Sequence, residues 1–335
     1  MQSVGRLSRY LGRCLAILAV VLLGAAPVAA ADPDPVELAR AIVRIAVKAP
    51  PDSLSARTLG AEREGSGAVI DGSGLILTIG YIVMEAAEIT VTDANGKAYP
   101  AELVAYDHIT GFGLVRAGFG FDAPPVRLGD SAALKTGDIA LVLARGGPHA
   151  ALPVVVVARR EFAGYWEYLL EDAIFTAPLH PGYGGAALLD SSGRLVGIGS
   201  LFIRDAVPGK QIPGNMFVPV SALEPVFGDL LAYGRRQGAA RPWLGVSVRE
   251  EGSGLLVERV TPGGPAESAG VRPGDRIVGI GDDAFTSLAE FYRKIWALGP
   301  AGVQVPLRVL RGQQMQPTTV ISGDRYQYLR LNPTY

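Results

Sequence analysis

The side chains that could carry nucleophilic or metal-dependent chemistry are few in this chain and far apart. Its three histidines are His108, His149 and His180, and its single cysteine is Cys14. Base catalysis near neutral pH most often uses histidine, and a zinc site needs several His, Cys or carboxylate ligands at short, regular spacing. The histidines have no such spacing, so we expect neither a metal site nor a cofactor.

Each histidine lies in a segment that is typical of a loop. His180 comes four residues before Gly184 in a glycine-rich stretch, His108 lies in a turn, and His149 follows two glycines and a proline. We interpret His180 as a loop histidine that makes a backbone hydrogen bond. The adjacent Ser191 and Ser192 are interpreted as a turn pair, not as nucleophiles.

Length and charge limit the classes of protein to which the chain can belong. Its 335 residues predict about two domains, and 49% hydrophobic residues are enough for well-packed cores. The 31 basic and 32 acidic residues are interspersed along the chain. Nucleic-acid binding requires a clustered positive field, so this charge distribution argues against it.

The N-terminus has the pattern of an export signal. A basic segment with Arg6, Arg9 and Arg13 precedes the apolar run 15–23, and the small residues 29–31 offer a cleavage site. We therefore predict a signal peptide over residues 1–31 and a periplasmic or secreted bacterial protein. An uncleaved anchor in the inner membrane is the alternative. Cleavage would remove the only cysteine, and with it any disulfide or thiol nucleophile.

Short apolar runs alternate with turns through most of the chain, which predicts an all-β fold. An opening helix or strand is expected over residues 35–47, and a closing amphipathic helix over residues 218–233. The predicted strands between them are residues 67–70, 75–78, 89–92, 101–105, 113–115, 139–144, 154–157, 168–170, 186–189 and 195–200.

A smaller second unit follows a Gly- and Arg-rich linker at residues 233–241. One helix is expected in it, because Ser287 and Glu290 have the spacing of a capping box and an apolar face follows from Leu288 to Leu298. The predicted strands of this unit are residues 244–248, 254–260, 276–280, 303–310 and 318–321.

Several blocks in the same order make residues 36–322 resemble the HtrA (Deg) family of secreted serine proteases with PDZ domains. The blocks are residues 65–70 with 74–78, 106–114, 181–188, 241–246, and 264–271 with 273–277. The resemblance implies a mostly β fold, with a trypsin-like pair of six-stranded barrels at 36–232, a linker at 233–241, a PDZ domain at 242–322 and a tail at 323–335.

The chain departs from the family at all three positions of the catalytic triad. Tyr81 stands where the family has histidine, Gly111 where it has aspartate, and Gly184 where it has serine. Acyl transfer in this fold needs all three groups, so we expect no proteolysis. The amides of Gly182 and Gly184 correspond to the family's oxyanion hole. They are expected either to remain as a binding loop or to collapse around Tyr81 and Tyr183.

The PDZ part is expected to be the intact functional part. By resemblance, a loop and strand with Leu244, Gly245, Val246 and Val248 would bind a peptide through its C-terminal carboxylate and backbone. The opposite wall would be drawn from residues of the helix, at least half of which we expect in the core. Those residues are Leu288, Phe291, Tyr292 and Ile295.

Three hypotheses for function follow. The first is a proteolytically inactive periplasmic protein that binds peptides or protein C-termini. It would act as a regulator, adaptor or chaperone in envelope protein quality control, with a homotrimer or active HtrA homologues as further partners. The second is a serine endopeptidase that acts through relocated catalytic residues. The third is a structural part of an envelope complex.

Overall fold

The computed structural model describes residues 35–329. The predicted signal peptide and the last six residues of the predicted tail lie outside this range. Two short helices, α1 (Pro35–Arg40) and α2 (Ala56–Leu59), flank the first strand of the first barrel. A helix or a strand was expected at residues 35–47, and the structure has one of each in succession.

Six antiparallel strands close the first barrel in the order β1-β2-β3-β6-β5-β4. They are β1 (Ile42–Lys48), β2 (Glu62–Val69), β3 (Leu75–Ile79), β4 (Glu88–Thr92), β5 (Ala98–Tyr106) and β6 (Phe112–Ala117). All five residues of β3 are buried, since both faces of this strand pack inside the protein. The one-turn helix α3 (Gly80–Val83) follows β3 directly.

A second closed barrel has the order β10-β11-β12-β9-β8-β7. Its strands are β7 (Ile139–Leu143), β8 (Ala151–Gly164), β9 (Tyr168–Ala177), β10 (Ala187–Leu189), β11 (Leu195–Ile203) and β12 (Gly214–Pro219). Strands β8 and β9 are much longer than the predicted 154–157 and 168–170, and β12 was not predicted. Strands β8 and β9 form a long hairpin whose turn lies at residues 165–167.

The segment after β12 is less helical than expected. Residues 218–233 contain the end of β12, two 3-10 turns and only the seven-residue helix α4 (Phe227–Tyr233). Pro225 lies in the second 3-10 turn, and its ring cannot sit inside an α-helix. The prediction of one continuous closing helix was therefore wrong.

A five-stranded sheet with the order β13-β14-β15-β16-β17 forms the third part. Its elements are β13 (Val246–Glu251), β14 (Gly254–Val260), α5 (Pro265–Ser268), β15 (Arg276–Ile280), α6 (Leu288–Ala297), β16 (Gln304–Arg311) and β17 (Gln314–Ile321). The side chain of Ser287 accepts a hydrogen bond from the Glu290 N–H and caps α6, as predicted. Two barrels followed by this sheet confirm the fold class that the resemblance implies.

The C-terminal segment returns from the sheet to the first barrel. The Tyr326 hydroxyl donates to the Tyr106 carbonyl (3.1 Å), and the Tyr106 N–H donates to the Gly234 carbonyl (3.2 Å). Asp107 beside them is buried and accepts from Arg236 at 3.0 Å. We call these contacts the seam, because they tie the barrel both to the linker and to the C-terminal segment.

The imidazole of His108 lies in the seam with its ring edge against Tyr326, 4.5 Å between centroids. Burial, reinforced by the positive charge of Arg325, lowers the pKa of His108 from 6.5 to about 3, although the charge of Asp107 opposes the shift. Arg236 and Arg241 also face the ring and act in the same direction as Arg325. The folded protein therefore keeps this histidine neutral at pH values where the unfolded chain protonates it.

We predict that stability falls as the pH drops below the unfolded pKa of His108. The unfolded chain binds a proton there and the folded protein does not, so the free energy of unfolding should decrease by about 1–2 kcal/mol between pH 7 and pH 5. Urea denaturation at both pH values measures this. His108→Gln should show a smaller decrease than the wild type, and His149→Gln, at an exposed position, should match the wild type. Equal decreases for all three proteins would contradict the assignment.

Candidate functional site: a filled triad position and an occupied PDZ groove

Tyr81 lies in α3, directly after the fully buried strand β3, and its ring points toward the second barrel. The hydroxyl donates to the Ser200 carbonyl on β11 at 3.0 Å. Burial raises the pKa of the Tyr81 hydroxyl above its ordinary value, with a smaller contribution from Tyr183. The phenol is therefore a hydrogen-bond donor that bridges the two barrels, and it is not a base.

Gly184 lies directly opposite this hydroxyl. Its carbonyl accepts from the Ser66 N–H at 2.8 Å. A Cβ atom at Gly184 would lie 2.9 Å from the Tyr81 hydroxyl oxygen, closer than van der Waals contact allows. Position 184 carries glycine where the family pattern has serine, and the Tyr81 hydroxyl occupies the space beside it.

Gly111 is brought into the same region through the backbone. Its carbonyl accepts from the Gly80 N–H, next to Tyr81, at 2.6 Å. Gly111 has φ of 84°, in the left-handed region that aspartate adopts only at a cost. A Cβ there would lie 3.4 Å from the Tyr168 hydroxyl. The fold therefore gathers the three degenerate positions, but no side chain at 111 supports a base.

The loop that corresponds to the oxyanion hole is altered. The Gly182 N–H donates to Nδ1 of His180 at 3.0 Å, while Nε2 of this histidine lies 2.9 Å from the Ala150 carbonyl. One of the two expected donors, Gly182, is therefore already satisfied within the loop. This contact favours the expected collapse around Tyr81 and Tyr183 over a binding loop at Gly182 and Gly184, and both stay predictions.

The surroundings of Ser66 and of the histidines bear on the hypothesis of relocated catalytic residues. Ser66 is buried beside Gly184, but its hydroxyl accepts from the Arg145 N–H at 2.9 Å. Across residues 35–329, no serine hydroxyl is hydrogen-bonded to a histidine, which is the arrangement a relocated nucleophile would need. The same residues contain no group of three His, Cys, Asp or Glu side chains that could hold a metal ion.

The second candidate site is the loop that leads into β13. The backbone N–H groups of Leu244, Gly245 and Val246 converge on one point, because Gly245 has φ of 80° and turns the chain there. Consecutive amides in such a turn form a concave anion site, which in a PDZ domain receives a C-terminal carboxylate. The resemblance had implied this role for the three residues.

This anion site already contains a carboxylate. Glu167, in the turn between β8 and β9, accepts hydrogen bonds from the N–H groups of Leu244 (2.8 Å), Gly245 (2.7 Å) and Val246 (3.0 Å). The residue is buried. Burial raises the pKa of Glu167, against the three backbone hydrogen bonds and the charge of Arg325, which lower it.

Contacts along the groove continue from the same turn. The Val248 N–H, on the free edge of β13, donates to the Tyr165 carbonyl at 3.1 Å. The Tyr292 hydroxyl on α6 donates to the Gly164 carbonyl (2.8 Å) and accepts from the Glu167 N–H (3.1 Å). The turn therefore contacts both walls of the groove.

The helix residues predicted to line the groove have different positions. Phe291 and Ile295 are buried in the core of the sheet, and so is most of Leu288. Leu169 of β9 joins the same apolar cluster. Only Tyr292 contacts the turn through a polar atom. We expected some of these four residues to line a peptide pocket and at least half of them to lie in the core. In the structure the β8–β9 turn lies in the groove, and their role in peptide binding stays a prediction.

Glu167 and its neighbours were missed in the sequence. The segment 164–167 lies between two predicted strands and contains two adjacent aromatic residues, Tyr165 and Trp166. The unusual feature of this segment is the positive φ of Glu167 (60°), which the structure shows but the sequence does not. A long-range partner that is 77 residues away in the chain leaves no spacing pattern to detect.

Comparisons with known proteins agree with this architecture. Residues 65–198 match the family described as trypsin-like peptidase domain, and residues 242–321 match the family described as PDZ domain. These two domains, together with the relatives described next, support an HtrA-family protein. Among curated HtrA relatives, the chain is 29% identical to the putative serine protease HhoA of Synechocystis sp. over 286 residues, covering 77% of this chain and 70% of the relative.

Other HtrA relatives match over a similar range. The serine endoprotease DegS of Salmonella typhimurium is 27% identical and is covered over 75% of its length. The probable periplasmic serine endoprotease DegP-like of Pseudomonas putida is 29% identical, but the chain spans only 56% of its length. Among solved structures, the HtrA-type protease AlgW with decapeptide has a TM-score of 0.51 at 23% identity, covering 88% of this chain and 97% of that one. The latter similarity concerns the fold alone.

In the range that the structure describes, none of the helices is both long enough and apolar enough to pass through a bilayer.

We predict that Tyr81 and Gly184 are energetically coupled. Tyr81→Phe removes one hydrogen bond and should cost about 1 kcal/mol, and Gly184→Ser should cost about 1–2 kcal/mol because its Cβ displaces the hydroxyl. With the hydroxyl absent, serine fits, so the double variant should cost at least about 0.5 kcal/mol less than the sum. Urea denaturation of the four proteins gives the coupling, and strictly additive costs would refute the proposed contact.

Proposed function

We propose that this protein is a proteolytically inactive member of the HtrA family that binds peptide C-termini through its PDZ domain. The observation that carries the proposal is the contact between Tyr81 and Gly184. The position of the nucleophile has no side chain, and the Tyr81 hydroxyl lies 2.9 Å from where a Cβ would be. The barrels then serve as a scaffold.

The loss of chemistry follows from the roles of the missing groups. Acyl transfer needs a hydroxyl to attack, an imidazole to take its proton and a carboxylate to hold the imidazole. Glycine at 184 cannot attack, and the raised pKa of Tyr81 keeps its hydroxyl protonated. In serine proteases, loss of the nucleophile alone lowers turnover by a factor on the order of a million.

The PDZ domain supports the binding half of the proposal. The three converging backbone amides at Leu244, Gly245 and Val246, which bind Glu167 in the structure, suit a carboxylate. The outer edge of β13, which no other strand of the sheet pairs with, suits an extended peptide backbone. These groups are backbone atoms, so they select for a chain terminus and not for one particular side chain.

Location and role are proposed from the relatives. Relatives such as the DegP-like protein of Pseudomonas putida are named periplasmic, and with the export signal expected at residues 1–31 we place this protein in the periplasm as well. There it would act as a regulator, adaptor or chaperone in envelope protein quality control. A homotrimer or an assembly with active HtrA proteins is the proposed context.

The enzymatic half of the proposal predicts no reaction with a serine-directed reagent. The purified full-length protein should remain unlabelled by a fluorophosphonate probe and should leave casein intact, because no hydroxyl is activated at position 184. An active serine protease in the same buffer is the positive control. Labelling of the wild-type protein, mapped to any serine by mass spectrometry, would establish a relocated nucleophile and contradict this half.

The binding half predicts dependence on the terminal carboxylate. A pool of fluorescein-labelled peptides with random sequences and an apolar C-terminal residue should bind the full-length protein, as measured by anisotropy. The same pool with amidated C-termini should bind at least about tenfold more weakly, since the amide cannot accept as a carboxylate does from three N–H groups. Equal affinity for both pools would contradict C-terminal recognition.

A further inference from the structure

The turn that joins β8 to β9 makes the contacts that a peptide C-terminus would make. We call residues 164–167 the hairpin tip. Its Glu167 carboxylate lies among the three amides of the loop before β13. Its Tyr165 carbonyl pairs with the N–H of Val248 on the strand edge. Its Gly164 carbonyl bonds to the hydroxyl of Tyr292 on the opposite helix.

We infer that the hairpin tip is a built-in ligand of the PDZ groove, and that the C-terminal carboxylate of a partner peptide enters only by displacing Glu167. The inference rests on the proposed peptide-binding function and adds the regulation of that same site. It describes an autoinhibited groove with two states, closed by the hairpin tip or open to a partner.

The two ligands cannot occupy the groove together. Each backbone N–H has one hydrogen to donate. The amides of Leu244, Gly245 and Val246 all donate to Glu167, with nitrogen-to-oxygen distances of 3.0 Å or less. A second carboxylate at the same point would also repel the first, because like charges in a buried site disfavour each other strongly. The outer hydrogen-bonding position at Val248 is likewise already used.

Two features of Glu167 indicate a contact that can be released. Its φ of 60° lies in the left-handed region, which costs a non-glycine residue about 1–2 kcal/mol. Its carboxylate has also lost its water, and burial is the largest influence on its raised pKa. Both costs offset part of the gain from the three hydrogen bonds, so a peptide in excess can compete with the hairpin tip.

Other charge contacts between the hairpin and the PDZ domain provide a matched control. Glu171 on β9 pairs with Arg293 on α6 at 2.7 Å, but its side chain is 72% exposed. Exposed ion pairs contribute little, about 0–1 kcal/mol. Glu171→Gln therefore removes the same charge from the same hairpin and leaves the amide site untouched.

The test compares the full-length wild type with Glu167→Gln, Glu167→Gly and Glu171→Gln. Glu167→Gln removes the charge at constant size, and Glu167→Gly removes the carboxylate at a residue whose left-handed conformation glycine adopts without strain. If Glu167→Gln perturbs the hairpin, Glu167→Gly still tests the inference, because glycine suits the left-handed turn. Affinity for the free-acid peptide pool is measured by anisotropy, with the amidated pool alongside.

The two Glu167 variants should bind the free-acid pool about tenfold or more tightly than the wild type, because apparent affinity rises with the open fraction of the groove. Glu171→Gln should match the wild type. Equal affinity of all four proteins for the free-acid pool would overturn the inference. A gain of similar size in Glu171→Gln would also overturn it, since the hairpin charge and not the carboxylate contact would then be responsible.

Hydrogen exchange separates failure of the inference from failure of the proposed function. The amides of Leu244, Gly245 and Val246 should exchange faster in both Glu167 variants than in the wild type, without any peptide present. Unchanged exchange would overturn the built-in ligand whatever the peptides do. Faster exchange with no peptide binding by any variant would uphold the built-in ligand and remove peptide binding as the function.

Discussion

A carboxylate that leaves water must find hydrogen-bond donors, and this requirement links the barrels to the PDZ domain. Glu167 meets it with three backbone amides from a single turn. The turn in which Glu167 lies is at the end of the long β8–β9 hairpin, so the length of these strands sets how far the second barrel reaches into the sheet. Because the donors are backbone groups, the geometry depends on Gly245 and the chain direction more than on side-chain identity.

The packing of Tyr81 against Gly184 stabilises the contact between the two barrels. The Tyr81 hydroxyl bridges to β11 and lies where a serine Cβ would collide with it. Tyrosine at 81 and glycine at 184 are thus complementary in volume, because the tyrosine hydroxyl fits only where residue 184 has no Cβ. The same region joins Gly80 to Gly111 through a short backbone hydrogen bond, which keeps the two segments together although position 111 has no side chain.

The architecture could be predicted from the sequence because its signals are local or lie in ordered blocks. Alternation of apolar runs and turns predicts the strands around β3 and β11, and the Ser287 and Glu290 spacing predicts the start of α6. The extent of β8 and β9 could not be predicted, since the mixed residues 158–164 lack alternation and are held by pairing across the hairpin. Nor could the occupant of the groove be predicted, because Glu167 and Leu244 are 77 residues apart in the chain and lie in different domains.

The seam between the first barrel, the linker and the C-terminal segment limits how far the PDZ domain can move when Glu167 leaves the groove. Tyr106 holds the linker with its N–H and Tyr326 with its carbonyl, so both ends of the PDZ polypeptide are fastened at one spot on the barrel. Displacement of Glu167 by a peptide, as proposed above, would leave these contacts in place. They would then keep the loop before β13 near the hairpin tip.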